Sequence, residues 1–244
     1  MTNIAGVDDA GRGPVLGPLV IAGVLFHDYQ IESLRSLGVK DSKLLSPEQR
    51  NTLSTEILAR ATRSKIAIAC PREIDEVVLS GKKYRKLNWL EAKLMADVLT
   101  DLKPDIAYVD ASDIKPERFC DQITELLPFN LKIISEHKAD KKYLIVSAAS
   151  IIAKTHRDHI ISQLHQQYGD FGSGYCSDKK TITFLNNWIQ DHDSRELPWF
   201  VRKSWQTINR LTEARKQTSI ASYVTMGDIE PQPLNERNGT APDQ

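Results

Sequence analysis

The chain has 244 residues, of which 41% are hydrophobic and 26% are charged, and this composition excludes a wholly disordered or collagen-like protein. It carries 32 basic and 32 acidic residues, so a net charge of zero excludes a uniformly basic nucleic-acid coat but not a local basic groove. Three scattered cysteines without a Cys-x-x-Cys pair argue against a zinc site or a disulfide framework and fit a reducing compartment. Because no signal-like hydrophobic core follows the N-terminus, we expect a soluble cytoplasmic protein.

Strand and helix signals alternate through the first 135 residues. Apolar, β-branched segments predict strands over residues 4–7, 19–26, 65–70, 105–110 and 131–135. Helices are predicted over residues 47–61, from residue 71, and over 84–102 and 116–127. Ser46 and Gln49 form a capping box at the start of the first of these helices. Helices dominate afterwards, over residues 143–168, 179–189 and 204–216, so we predict an α/β fold with a mixed sheet and a helical C-terminal extension.

Four acidic residues lie where a fold of this kind exposes side chains. Asp8 and Asp9 end the first predicted strand, Asp110 ends another, and Asp140 precedes the long helix. Clustered carboxylates repel one another and need cations, and hard oxygen ligands select Mg²⁺ or Mn²⁺. Two such ions about 4 Å apart can activate a water and stabilise the leaving oxygen of a phosphodiester. The alternative is that these acids are ordinary turn formers and helix caps.

A glycine-rich turn, Gly11-Arg12-Gly13, follows the acid pair directly. Two glycines allow the backbone to approach a ligand closely, and Arg12 could contact a phosphate. A glycine-rich hairpin without a ligand is the alternative. The turn is not a P-loop, because the lysine and hydroxyl residues at the required spacing are absent.

The segment from Gly6 to Pro18 resembles the N-terminal signature of the type 2 ribonucleases H, the family of ribonuclease HII and its eukaryotic counterpart. Further matches follow in the order of the family at Asp41-Ser42-Lys43, Val109-Asp110, Lys138-Ala139-Asp140, residues 146–151, Ala153-Lys154, residues 172–175, and residues 200–205. Together they cover about residues 4–210, and their form is closer to the archaeal and eukaryotic branch than to the bacterial one.

The resemblance implies an RNase H-like fold, a five-stranded mixed sheet flanked by helices with a helical C-terminal region. It implies endonucleolytic cleavage of the RNA strand in RNA–DNA hybrids, and cleavage on the 5′ side of single ribonucleotides in duplex DNA that leaves 3′-hydroxyl and 5′-phosphate ends. With this fold we divide the chain into a catalytic domain over residues 1–168, a helical region packed on it over 169–216, and a mostly disordered tail over 217–244.

The same resemblance implies roles for individual residues. The ligands of two Mg²⁺ or Mn²⁺ ions would be Asp8, Asp9, Asp110 and Asp140. The turn Gly11-Arg12-Gly13 and the side chain of Tyr175 would read the 2′-hydroxyl that distinguishes RNA from DNA. Candidates for phosphate contact are Lys43, Lys138, Ser147 and Ser150, and the family match also favours Arg202 and Lys203 as parts of a basic groove.

Asp9 departs from the family pattern, which usually has glutamate at this position. Aspartate keeps the charge but is one methylene shorter. Because neighbouring strand residues point to opposite faces, Asp8 and Asp9 can share a site only if the chain turns there. We expect the glycine-rich turn to allow this, and Asp9 to serve the site with altered metal preference or lower activity. Cys176, where relatives usually have proline, is a second departure that could loosen the loop of Tyr175.

The tail contains a degenerate form of a sliding-clamp-binding motif, made of Gln217, Ile220 and Tyr223, in which one of the two usual aromatics is missing. Such a segment would insert an apolar plug into a pocket of the clamp, or it could simply pack back on the body. Two other functions remain open: a nucleic-acid-binding protein that has lost catalysis, suggested by Asp9, and a metal nuclease acting on DNA, such as a resolvase.

Overall fold

A five-stranded mixed sheet forms the centre of the molecule. The structure is a computed structural model that describes residues 1–39, 45–82, 86–192 and 196–227, with side chains up to Gln217. The strands are β1 (Asn3–Ala10), β2 (Leu19–His27), β3 (Arg63–Ala69), β4 (Ile106–Asp110) and β5 (Lys132–Glu136). They lie in the order β3-β2-β1-β4-β5, with β1, β2 and β3 antiparallel and β1, β4 and β5 parallel. The predicted α/β fold class is confirmed.

The helices connect and cover the strands. They are α1 (Ile31–Ser36), α2 (Pro47–Arg60), α3 (Pro71–Leu79), α4 (Leu87–Leu102), α5 (Pro116–Leu126), α6 (Ala139–Lys142), α7 (Leu144–Tyr168), α8 (Lys179–Asp191) and α9 (Gln206–Gly227). The predicted capping box starts α2: Gln49 N–H donates to Ser46 Oγ at 3.2 Å, and Ser46 N–H donates to Gln49 Oε1 at 2.9 Å. Helix α9 continues to Gly227, past Lys216 where the sequence pattern ended it, so residues 217–227 of the tail predicted to be mostly disordered are helical. The rest of that tail, residues 228–244, lies outside the described residues. None of the helices in the described ranges is long and apolar enough to cross a membrane.

The sheet is covered by different helices on its two faces. Helices α3, α4 and α5 pack on one face, and α1, α2 and α7 pack on the other. Helix α7 lies directly on β1 at Gly6, where an added Cβ would be only 2.2 Å from the carbonyl oxygen of Ile145. This close approach places the middle of α7 beside the carboxyl end of β1.

The C-terminal region forms a third apolar cluster with the segment that follows β1. Val15 and Leu16 pack with Phe171, Phe200 and residues of α8, and Leu16 makes an isolated antiparallel bridge with Val201. Residues far apart in sequence therefore meet beside the glycine-rich turn, and this packing positions the turn.

Candidate active site

Three of the four predicted carboxylates lie on the α7 side of the sheet. The parallel register pairs Val7 with Val109, so Asp8 and Asp110 occupy the next positions on neighbouring strands. Asp140 is buried in α6, and the preceding Ala139 N–H donates to Asp110 Oδ1 at 2.7 Å. Parallel strands that end at the same edge thus bring Asp8 and Asp110 together, as the sequence predicted.

Asp8 is buried among like charges. Burial, followed by the neighbouring carboxylates of Asp9 and Asp110, raises the pKa of Asp8 well above its ordinary value, and a hydrogen bond with the Ser150 hydroxyl lowers it in part. Asp9 N–H also donates to Asp8 Oδ1 at 2.7 Å. A cation beside these carboxylates would relieve their repulsion.

The expectation that the chain turns at Asp8 and Asp9 is wrong, because β1 continues to Ala10. The alternation of the strand therefore holds: Asp8 faces α7, whereas Asp9 lies on the α4 side, where Ser112 Oγ donates to its Oδ1 at 3.3 Å. Both residues nevertheless line one cavity, since it opens over the end of the strand rather than over one face.

The cavity has a volume of about 320 Å³ and contains most of the predicted site. Its lining residues are Asp8, Asp9, Ala10, Gly11, Arg12, Gly13, Arg50, Asp110, Asp140, Ser150, Lys154 and Tyr175. The four carboxylates, the glycine-rich turn, Ser150 and Tyr175 are thus brought together. Carboxylates, backbone amides and cations in one cleft form a site suited to a phosphodiester with a nearby hydroxyl.

The carbonyl oxygens of the glycine-rich turn are all held from the C-terminal region. Arg202 donates through Nη2 to Gly11 O at 2.5 Å and through Nη1 to Arg12 O at 2.9 Å, and Trp205 Nε1–H donates to Gly13 O at 3.0 Å. Gly11 has a φ of +89°, and an added Cβ there would lie 2.5 Å from Pro18 O. Within the described ranges, no backbone carbonyl accepts a hydrogen bond from the N–H groups of these three residues.

Arg202 is fully buried, so its predicted place in a basic groove is wrong. Its Nε also donates to Gly17 O at 2.9 Å, which leaves the guanidinium surrounded by carbonyl oxygens instead of phosphates. Burial, and then the nearby Arg157, lower the pKa of Arg202 to about 9, so it stays charged at neutral pH. The adjacent Lys203 is exposed.

Tyr175 lines the cavity beside Gly13 and is 39% exposed. The buried guanidinium of Arg157 lies 5.6 Å from the centre of its ring, and an added Cβ on Gly13 would lie 3.5 Å from the ring. Its loop is held by Ser173, whose N–H and hydroxyl both donate to Asp178 Oδ2 at 2.7 Å. Cys176, the second departure from the family pattern, accepts a hydrogen bond at 3.1 Å from the hydroxyl of Thr207 on α9. This contact links the loop of Tyr175 to α9.

The Arg12 side chain is engaged by α4 rather than pointing freely into the cavity. Its Nη1 forms an ion pair and hydrogen bond with Glu91 Oε2, and its Nη2 donates to Asn88 Oδ1 at 2.8 Å. Burial, followed by the charge of Asp9, raises the pKa of Glu91 to about 8, although Arg12 opposes this shift. A phosphate contact through this guanidinium would therefore compete with Glu91 and Asn88.

Some predicted residues are not part of the cavity lining. Ser147 is buried one helical turn before Ser150, where α7 packs on β1, and its hydroxyl has no partner among the described residues. Lys138 is exposed at the start of α6 with a φ of +57°, and its phosphate contact stays a prediction. Lys43 lies outside the described residues.

Two cations of the cavity lining had no role assigned from the sequence. Arg50 Nη2 lies 3.2 Å from Asp158 Oδ2, and Lys154 Nζ lies 2.7 Å from Asp158 Oδ1. Lys154 follows Ser150 by four residues and so shares its helix face, a spacing that could have identified it. Arg50 gave no such signal, because α2 is distant in sequence from every acidic residue of the site.

The donor set suits a hard divalent cation. Only carboxylate oxygens are offered by Asp8, Asp9, Asp110 and Asp140, and these favour Mg²⁺ or Mn²⁺ over softer metals. In the described part of the chain, no group of three or more His, Cys, Asp or Glu side chains is arranged so that it could hold an ion by itself. These carboxylates would hold a divalent cation only with further oxygen ligands, such as those of a phosphate.

Comparisons with known proteins identify the family of the chain. The model of the family described as ribonuclease HII matches residues 5–208. Ribonuclease HII of Pyrococcus furiosus is 46% identical over 215 residues, which cover 87% of this chain and 92% of that protein. The crystal structure of ribonuclease H2 from Pyrococcus horikoshii has a TM-score of 0.80 at 42% identity and covers 88% of this chain and 99% of the other.

A second solved structure is ribonuclease HII of Archaeoglobus fulgidus in complex with PCNA. It has a TM-score of 0.76 at 43% identity and covers 85% of this chain and 96% of the other. The resemblance to archaeal members and the five-stranded RNase H fold are thereby confirmed. On these grounds the chain belongs to the ribonuclease HII family, whose enzymes are hydrolases that cleave the RNA strand of RNA–DNA hybrids.

Proposed function

We propose that this ribonuclease HII also cleaves duplex DNA on the 5′ side of a single embedded ribonucleotide, leaving 3′-hydroxyl and 5′-phosphate ends. One observation carries the proposal: a single cavity holds the carboxylates, the glycine-rich turn and Tyr175. Carboxylates alone would suit any phosphodiester. Groups that can read a 2′-hydroxyl beside them favour a substrate that contains at least one ribonucleotide.

In this proposal the substrate phosphate and the carboxylates together complete the metal sites. Asp8, Asp110 and Asp140 would hold divalent ions from the α7 side, and Asp9 would reach them from the α4 side. Bound Mg²⁺ or Mn²⁺ ions, two with substrate present, supply an activated water and charge stabilisation at the departing 3′-oxygen. Arg50 and Lys154 would pair with substrate phosphates near the same cavity, an interaction that weakens as salt is added.

The ribose would be read by the glycine-rich turn and by Tyr175 together. The N–H groups of the glycine-rich turn would face the 2′-hydroxyl, because the carbonyls of the turn are held by Arg202 and Trp205. The Tyr175 hydroxyl would contact the same group from its place beside Gly13. A deoxyribose leaves these groups without a partner, and unpaired polar groups give strong discrimination.

Tyr175→Phe tests the reading of the ribose. We expect kcat/KM on a duplex with one ribonucleotide to fall about tenfold, since one hydrogen bond is lost. Tyr29→Phe is the control, because Tyr29 is 64% exposed and lies outside the cavity lining. Cleavage products mapped on a sequencing gel report the position and the ends. Equal rates for Tyr175→Phe and the wild type would contradict the role of the hydroxyl.

Binding and cleavage assays on the same duplex distinguish the proposed function from the two alternatives that the sequence left open. A binding protein without catalysis would retain the duplex but not cut it at any concentration of Mg²⁺ or Mn²⁺. A DNA nuclease would cut an all-deoxy duplex as well as the ribonucleotide-containing one. Metal-dependent cleavage at the ribonucleotide alone agrees with the proposed function.

A sliding clamp is a second partner that one observation favours, the complex of the Archaeoglobus fulgidus relative with PCNA. In this chain Gln217 is exposed, and the motif residues Ile220 and Tyr223 lie within α9. We propose that this segment docks on the clamp of the same organism.

Replacing Ile220 and Tyr223 together with alanine is expected to weaken clamp binding more than about tenfold, since two apolar anchors are truncated. Size-exclusion co-elution and calorimetry with the clamp measure the effect, and cleavage of a short duplex should not change. A variant with Tyr29→Ala and Leu79→Ala is the matched control, because both of its residues are exposed. A lower melting temperature with unchanged clamp binding would instead mean that the segment packs on the body.

A further inference from the structure

A buried carboxylate outside the cavity lining is connected to the glycine-rich turn. The Glu91 side chain is fully buried on α4, and its only hydrogen-bond partner among the described residues is Arg12, through Oε2. Its second oxygen, Oε1, is buried without a partner among these residues. A buried carboxyl group, charged or neutral, is costly unless its partner stays in place, so Glu91 and Arg12 constrain each other.

Helix α4 offers Arg12 two acceptors, not one. Asn88 lies one turn before Glu91, accepts from Arg12 Nη2, and donates through Nδ2 to Asp113 at 2.8 Å. Asp113 is buried and is itself held by Arg118. The acceptor pair therefore has fixed positions, which suits the planar fork of a guanidinium.

Arg12 is consequently held at both ends. Its carbonyl accepts from the buried Arg202, and its guanidinium is held by α4, while its side chain remains 36% exposed at the cavity. The C-terminal region holds the carbonyls of the turn, and α4 holds the Arg12 side chain. What remains for a ligand is the row of N–H groups of the turn.

We propose that Glu91 is a positioning residue for ribose recognition: by holding the Arg12 guanidinium, it keeps the glycine-rich turn in the orientation that reads the 2′-hydroxyl. This inference rests on the proposed reading of the 2′-hydroxyl by the turn. Without Glu91, Arg12 would be a cation beside the cavity with one neutral acceptor left. It would then be free to turn towards substrate phosphates, which all nucleic acids possess.

The experiment compares Glu91→Gln, Arg12→Ala and the double variant on two duplexes that differ only in one 2′-hydroxyl. Equilibrium binding is measured by anisotropy without divalent ions, and steady-state cleavage is measured with Mg²⁺. We expect KM on the ribonucleotide duplex to rise about tenfold in Glu91→Gln with kcat changed less than about threefold, because ground-state contacts are lost. The preference of binding for the ribonucleotide duplex should fall by the same factor.

The double variant tests whether Glu91 acts through Arg12. If Glu91 acts through Arg12, Glu91→Gln has no further effect in the Arg12→Ala background, so the two changes are not additive. Glu125→Gln, the same chemical change at an exposed position of α5, is the control and should resemble the wild type. If Glu91→Gln does not fold, Arg12→Ala, made at the partly exposed partner, must itself show the rise in KM and the loss of preference.

Three results would overturn the inference. The first is a fall in kcat at constant KM, which would mean that Glu91 acts through Asp9 or only on stability. The second is additive effects in the double variant. The third is an unchanged ribonucleotide preference in Glu91→Gln or, if that variant does not fold, in Arg12→Ala. Failure of the proposed function is distinguishable, because the wild type itself would then bind and cleave both duplexes equally.

Discussion

Replacing Asp110 with asparagine is expected to lower the rate of cleavage about 10³-fold while the fold is retained. Metal-assisted charge stabilisation contributes several kcal/mol to such reactions, and each 1.4 kcal/mol is about a factor of ten. An amide oxygen can still accept the Ala139 N–H that Asp110 Oδ1 accepts at 2.7 Å. The substitution therefore removes a charge without removing the contact that fixes α6.

The thermal stability of Asp110→Asn provides a second test of the same role. Asp110 is one of the charges that raise the pKa of Asp8, so ionised Asp8 is unfavourable in the folded state at neutral pH. Removing the Asp110 charge should leave the melting temperature at pH 7 without divalent ions unchanged or higher. Asp121→Asn, at an exposed position of α5, is the control. Cleavage at the wild-type rate by Asp110→Asn would refute a metal-binding role for Asp110.

Arg202→Met is expected to lower the free energy of unfolding by about 3 kcal/mol, because buried carbonyls lose their donors. The carbonyls of Gly11, Arg12 and Gly17 all depend on this guanidinium. Lysine has a single ammonium instead of a planar fork, so Arg202→Lys should be intermediate. Urea denaturation measures the effect, and cleavage of the ribonucleotide duplex should fall with it.

Arg72→Met provides the comparison for Arg202. Arg72 is exposed and pairs with Glu76 on the same helix, so its loss should change stability by less than about 0.5 kcal/mol. If Arg202→Met were as stable as Arg72→Met, the buried guanidinium would not hold the turn.

The periodicity and capping signals predicted the sheet and most helices because these elements depend on local sequence. The C-terminal end of β1 shows where the local sequence was not sufficient to predict the structure. Two adjacent aspartates indicated a turn, but pairing with β2 continues to Ala10 and keeps Asp8 and Asp9 on opposite faces. Strand pairing overrode the local preference of acidic residues for turns.

The parts of the site that could not be predicted depend on contacts between distant segments. Arg202 reads as a phosphate-binding residue in the sequence, and only packing of the C-terminal region shows that its partners are carbonyls. Glu91 occurs in a largely apolar helix and carried no motif. An acid at a core-facing helix position is the signal that could have identified it, because buried acids require a partner.

The fastening of the turn by Arg202 and Trp205 has a consequence for the newly made chain. Translation proceeds from the N-terminus, so the turn emerges from the ribosome long before the side chains that hold its carbonyls. A nascent or prematurely terminated polypeptide that lacks these two residues would contain all four carboxylates of the cavity, but the carbonyls of its glycine-rich turn would have lost these donors. The proposed selectivity for a ribonucleotide would therefore arise only after Trp205 has been synthesised and has packed against the turn.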